Sequence, residues 1–220
     1  MQSVGKISAT VDLGTIPKRL GRRCRKRRGR NKAPFGWEFH LSHNGTPFST
    51  KEILHLIFHG STKREKEGSI GRYGTGFLST HVISRKVRVN GVLETDQEFD
   101  SVLDRSGQTP GELASAMEIS EQRLRESVAP KTQSDGEWTS LEYELSAATR
   151  SVVQNTLHDI RTIAPIVLAF NPRIKRLQVE DGVSCVFSVT REGLSDTSSL
   201  ATVDMASGEE HAHRFVAAAQ

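Results

Sequence analysis

Between Gly71 and Gly76, in "GRYGTG", three glycines fall within six residues, and an apolar stretch, "FLSTHVIS", follows at once. Glycine costs conformational entropy, so a cluster of this kind is retained where missing side chains let backbone N–H groups approach something closely. The usual guest is a phosphate, and the first turn of a helix adds free N–H groups and the favourable end of its dipole. The spacing is Gly-x-x-Gly-x-Gly. It is not the P-loop, which places Gly-Lys-Ser/Thr four residues after its first glycine, nor the Gly-x-Gly-x-x-Gly that follows a strand in dinucleotide-binding folds. Taken alone, the cluster reads equally well as a glycine-rich turn between two elements.

Other chemistry-bearing residues are scattered. His55 and His59 stand i,i+4 on an expected helix, and His211 and His213 lie near the C-terminus, but no carboxylate or thiol joins either pair at metal-ligand spacing. Cys24 and Cys185 are the two cysteines, too few for a disulfide framework, which fits a reducing compartment and a cytoplasmic location. The net charge of +4 conceals an asymmetry. "KRLGRRCRKRRGR", residues 18–30, holds nine basic residues in thirteen, and taking those nine away leaves −5 on the rest. Such an arm would contact nucleic-acid phosphates without reading sequence, or serve as a nuclear-targeting patch. No apolar run approaches the length needed to cross a bilayer, so no membrane partner is expected.

These residues need elements to hold them. "WEFHLSH" alternates Trp37, Phe39 and Leu41 with polar residues, a half-buried strand. "HNGTPF" breaks it, and Ser49 and Glu52 stand at capping-box spacing ahead of a helix carrying Ile53, Leu56 and Ile57, with Gly60 placed to end it. A charged loop leads to the glycines and a short helix. "RKVRVNGVLE" reads as a strand turning at Asn90-Gly91, and an exposed helix spans Gly111 to Ser127 after a polar connection. "EWTSLEYELS" reads as a strand, and a long helix starts near Ala147 and breaks or kinks at Pro165. A hairpin turns about Asp181-Gly182. Residues 1–34 read as a disordered arm, 35–190 as the domain, and 191–220 as a weakly ordered tail.

"HNGTPFSTKEILHLIFHGSTK", a charged loop, and "IGRYGTGFLSTHVIS" occur in that order. Together they resemble the GHKL ATPase superfamily of gyrase B subunits, ninety-kilodalton heat-shock chaperones, sensor histidine kinases and mismatch-repair ATPases. The sacsin-like branch is the most similar. The resemblance is dense over 37–90 and looser to about Asp181. It implies a histidine-kinase-like, Bergerat-type α/β two-layer sandwich, with a mixed, mostly antiparallel sheet and helices on one face. It also implies ATP as ligand. Gly45 would give adenine and ribose room; Ser61, Thr62 and Lys63 would open a lid over 60–75. Gly71, Gly74, Thr75 and Gly76 would wrap the β- and γ-phosphates with Phe77 packed beneath, and Thr139 would help hold adenine.

The resemblance fails at two points. Where the family has an aspartate that accepts from the adenine amino group, this chain has His43, with Asn44 beside it. The family's upstream helix, whose glutamate activates water and whose asparagine holds Mg2+, has no counterpart before "WEFHLSHNG". No catalytic residue or metal ligand is therefore assigned. The expectation is ATP binding with weak or no hydrolysis, by a domain that lacks its first helix or whose start is truncated. The alternatives are an interaction module or fragment without catalysis, and nucleic-acid binding through the arginine-rich arm.

Overall fold

The structure, a computed structural model, describes residues 6–12, 37–58, 79–131, 138–171, 173–180, 185–195, 198–205 and 210–216. It is a mixed α/β protein. Ten strands are described: β1 (Lys6–Asp12), β2 (Trp37–His43), β3 (Lys86–Val92), β4 (Gln97–Asp104), β5 (Ala129–Pro130), β6 (Thr139–Leu145), β7 (Arg176–Glu180), β8 (Cys185–Ser195), β9 (Ser198–Met205) and β10 (Glu210–Val216). They form one sheet in the order β10-β9-β8-β7-β1-β2-β6-β3-β4-β5. Only β1 and β2 run parallel among the described pairs, so the sheet is mostly antiparallel.

The register gives the sheet one apolar face. A single row of cross-strand neighbours runs Phe187, Val179, Ala9, Leu41, Leu141, Val89, Ser101. The next row includes Phe39, Tyr143, Val87 and Leu103. Three helices cover these rows: α1 (Thr50–Ile57), α2 (Pro110–Ser127) and α3 (Ala147–Phe170). Ile53 and Ile57 of α1, Leu124 of α2 and Val153 of α3 join one core cluster with Val87, Val89, Leu103, Leu141 and Tyr143. The later half of α3 buries Ala164 and Leu168 with Ala9, Val179, Phe187 and Val189. The opposite face is polar. There Arg88 lies between Asp100 and Glu142, Asn90 Nδ2 donates to Glu142 at 3.1 Å, and the Ser42 and Ser140 hydroxyls meet at 2.9 Å. This alternation, apolar inward and polar outward, is the period-two signal of the sequence.

Each helix begins on a capping box. Ser49 with Glu52, Thr109 with Glu112, and Ser146 with Thr149 each satisfy orphan N–H groups of the first turn.

Four expectations need correction. The ends are not unstructured throughout. β1 lies within the arm assigned to 1–34 and pairs on both sides, while β8 runs past 190 and β9 and β10 occupy the expected tail. Deleting residues 1–34 would therefore split the sheet; a test of the basic block must neutralise 18–30 alone, and that block lies outside the described residues. β3 does not turn at Asn90-Gly91 but continues to Val92. The reversal falls at Leu93–Gln97, closed by Leu93 N–H to Gln97 O at 2.8 Å and by Asp96 at φ 58°. The "polar connection" before α2 is β4. Finally, α3 carries on through Pro165 to Phe170. Proline removes one helical N–H, and here burial of Ala164, Pro165 and Leu168 offsets that loss.

Candidate functional site

The turn 43–48 leaves the C-terminal end of β2. Because β2 and β6 are antiparallel in the register Trp37↔Leu145 to His43↔Thr139, the first residue of β6 lies directly beside that turn. His43, Asn44, Gly45 and Thr139 are thus brought together from two distant parts of the chain. Asn44 is 3% exposed and Thr139 2%, and Gly45 is buried. The turn is held from outside by Glu94 N–H donating to Phe48 O at 3.0 Å, and from inside by the His43 and Phe48 rings meeting edge to face with centroids 6.3 Å apart.

The chemistry of His43 is fixed by one hydrogen bond. Gly45 N–H donates to its Nδ1 at 3.2 Å, and burial holds the imidazole below its ordinary value of 6.5, so the ring is neutral near pH 7. Nδ1 is then the acceptor and Nε2 carries the proton. His43 offers an N–H donor where an aspartate would offer an acceptor.

That depressed titration has a consequence for stability. Unfolded, the imidazole takes up a proton as the pH falls through about 6.5, whereas the folded group does so only at a lower pH. The contribution of His43 is therefore complete above about 6.5, declines as the pH falls to the folded value, and is constant below it. Urea unfolding at pH 7.5 and 5.5 checks this. The native chain should lose more stability between the two than His43→Asn does.

Gly91 is a site neighbour that the sequence reading treated as a turn residue. A Cβ at that position would lie 3.0 Å from Trp138 O and 3.1 Å from both Cα and Oγ1 of Thr139. Its missing side chain is what lets β3 pass close to the start of β6. The signal was present in "RVNGV", but Asn-Gly is also the commonest turn dipeptide.

Ser61, Thr62, Lys63, Gly71, Gly74, Thr75, Gly76 and Phe77 lie outside the described residues, as does Gly60. The described flanks of that segment are well tied. On one side α1 ends at Ile57, and the Arg105 guanidinium donates from Nη2 to Leu56 O at 3.0 Å and to Ile57 O. On the other, residues Ser79–Val82 form a 3-10 turn in which Thr80 O accepts from Ile83 N–H and Ser84 N–H. The Thr80 side chain bonds the Tyr143 hydroxyl, whose pKa is pushed up to about 12 by burial. Arg105 and Tyr143 escaped the sequence reading because one looked like a surface charge and the other like an ordinary strand residue.

A cleft of about 530 Å³ opens elsewhere, lined by Lys86 and Asp104 of β3 and β4 and by Glu112 and Arg123 of α2; none of the candidate residues lines it. Among the described residues no three His, Cys, Asp or Glu side chains gather as a metal site, and no helix is long and apolar enough to cross a membrane. No protein-family model matches the chain, and no curated protein matches it.

Proposed function

We propose that this chain binds a purine nucleoside triphosphate, ATP in the first place, as a GHKL-type domain of the sacsin-like branch built on the Bergerat two-layer sandwich. Binding is accompanied by little or no hydrolysis. The observation that supports the reading most is the meeting of the "HNG" turn with Thr139. Two stretches that the resemblance assigns to one base site are neighbours through the β2–β6 register. Asn44 and Thr139 border the base, the bare backbone at Gly45 provides close approach, and the glycines of 71–76 hold the phosphates. No carboxylate is assigned to activate water and no side chain to hold Mg2+, so hydrolysis lacks both its base and its electrophile.

Calorimetric titration with ATP, in Mg2+ and in EDTA, tests the proposal, with phosphate release measured in parallel. Saturable binding is expected in both, with less than a tenfold change on removing Mg2+, and phosphate release should stay at the uncatalysed background. No saturable heat with ATP at millimolar concentration overturns the reading.

A further inference from the structure

We propose that the outward side of α3 is a self-association surface on which a second copy of this chain packs its own α3 antiparallel, forming a weak dimer.

The later half of α3 is apolar on two sides, and among the described residues one of them packs on the sheet. Ala164 and Leu168 are buried against the sheet, at 2% and 1% exposure. On the outer side Ile163 is 51% exposed, Ile166 47%, Val167 41% and Phe170 68%, with Val152 at 53% about three turns before Ile163. Positions 152, 156, 159, 163, 166 and 170 alternate spacings of four and three, the seam of a helix that pairs with another helix. Thr162 to Asn171 contains no charged residue. A helix apolar all round is normally covered all round.

Charge selects the occupant and its direction. Asp159 is exposed on this seam, one turn before Ile163, and the exposed Arg173 and Lys175 follow the end of the helix. A two-fold axis passing between Ile166 and Val167 sets Ile163 of one copy against Phe170 of the other. It also brings each Asp159 alongside the other copy's Arg173 and Lys175. A parallel pairing would instead stack Asp159 on Asp159. Arg161 does not intrude, because its guanidinium lies over the Phe187 ring, 5.6 Å from the centroid, on the sheet side. The same surface on both partners satisfies a closed two-fold contact.

Size sets the strength. A stripe of this kind offers a few hundred Å² per copy, whereas stable interfaces bury roughly 1,200–2,000 Å² in total. The dimer is therefore concentration-dependent, with a dissociation constant on the order of tens of micromolar.

Sedimentation equilibrium of the full chain from about 5 to 500 µM brackets that constant. The apparent mass should rise from 24.3 kDa toward twice that value. Ile163→Asp combined with Ile166→Asp should stay monomeric with an unchanged thermal midpoint, since both side chains are half exposed. Asp159→Lys should weaken association about tenfold, and adding Arg173→Glu and Lys175→Glu should restore it. A native chain that stays monomeric throughout overturns the proposal, as does undiminished association in the double aspartate variant. Dimers that the reversed charges do not restore overturn the antiparallel arrangement. The charge-reversed variants keep the proposal testable should the aspartates impair folding.

Discussion

Gly74→Ala combined with Gly76→Ala is expected to weaken ATP binding by at least about a hundredfold while leaving thermal unfolding unchanged. Hydrogen bonds to a charged acceptor contribute about 1.5–3 kcal/mol each, so two backbone N–H groups held away from a phosphate by new methyl groups forfeit two or more powers of ten. Adenosine supplies the control. It has no phosphate, and on the proposed reading it meets the turn at Asn44 and Gly45 and Thr139 beside it, so its weaker affinity should be the same in both chains. Equal loss for ATP and adenosine would mean that the substitutions disturb the fold. No loss for either would remove the phosphate-loop assignment. Calorimetry on the two ligands reads all of these outcomes.

Such a division between base and phosphate halves reflects what the sequence could carry. Local signals were legible. The Ser49/Glu52 capping box marks the start of α1, and the alternation of "WEFHLSH" and "TSLEYEL" marks β2 and β6. What those strands do for each other was not legible, because register is a property of two distant segments. That His43 sits opposite Thr139 follows only once β2 and β6 pair.

β4 stayed hidden for a related reason. Its inward row is Phe99, Ser101, Leu103, and the serine in the middle breaks the apolar alternation. Ser101 is 1% exposed because its hydroxyl donates to Ser120 O of α2 at 3.2 Å, a partner that a linear reading does not supply. β1 failed to register because "KISATVD" offers only Ile7, Ala9 and Val11, and a block of positive charge follows it. Its place between β2 and β7, rather than its own hydrophobicity, makes it a strand. Pro165 and Asn90-Gly91 err in the opposite sense. Both are strong local breakers, and tertiary packing overrides them, through Ala164 and Leu168 in one case and the close approach to Thr139 in the other. The cap on His43 belongs with them. Nothing in "HNG" says that Gly45 N–H will occupy Nδ1, and that bond decides whether the ring donates or accepts.

Arg105→Ala should lower the free energy of unfolding by about 2–4 kcal/mol. Only 9% of Arg105 is exposed, and its Nη2 donates to the carbonyls of Leu56 and Ile57, two of the groups that α1 leaves without helical partners at its C-terminal end. Burial lowers its pKa, yet a guanidinium remains charged throughout the working range, so these are charge-assisted bonds to a helix terminus where positive charge is favoured. Truncation leaves the carbonyls unpaired and a void beside them. Arg105→Met fills most of that void without restoring the donors, so it should recover part of the loss but not most of it. Urea denaturation followed by circular dichroism reads both variants, with the midpoint falling and the slope unchanged. A loss below 0.5 kcal/mol for Arg105→Ala would mean that water replaces the guanidinium without penalty. The helix that Arg105 closes runs directly into the segment bearing Ser61, Thr62 and Lys63. Nucleotide affinity should therefore fall together with stability in Arg105→Ala, whereas the paired glycine substitution lowers affinity alone. That contrast separates a residue that positions the segment from residues whose backbone grips the ligand.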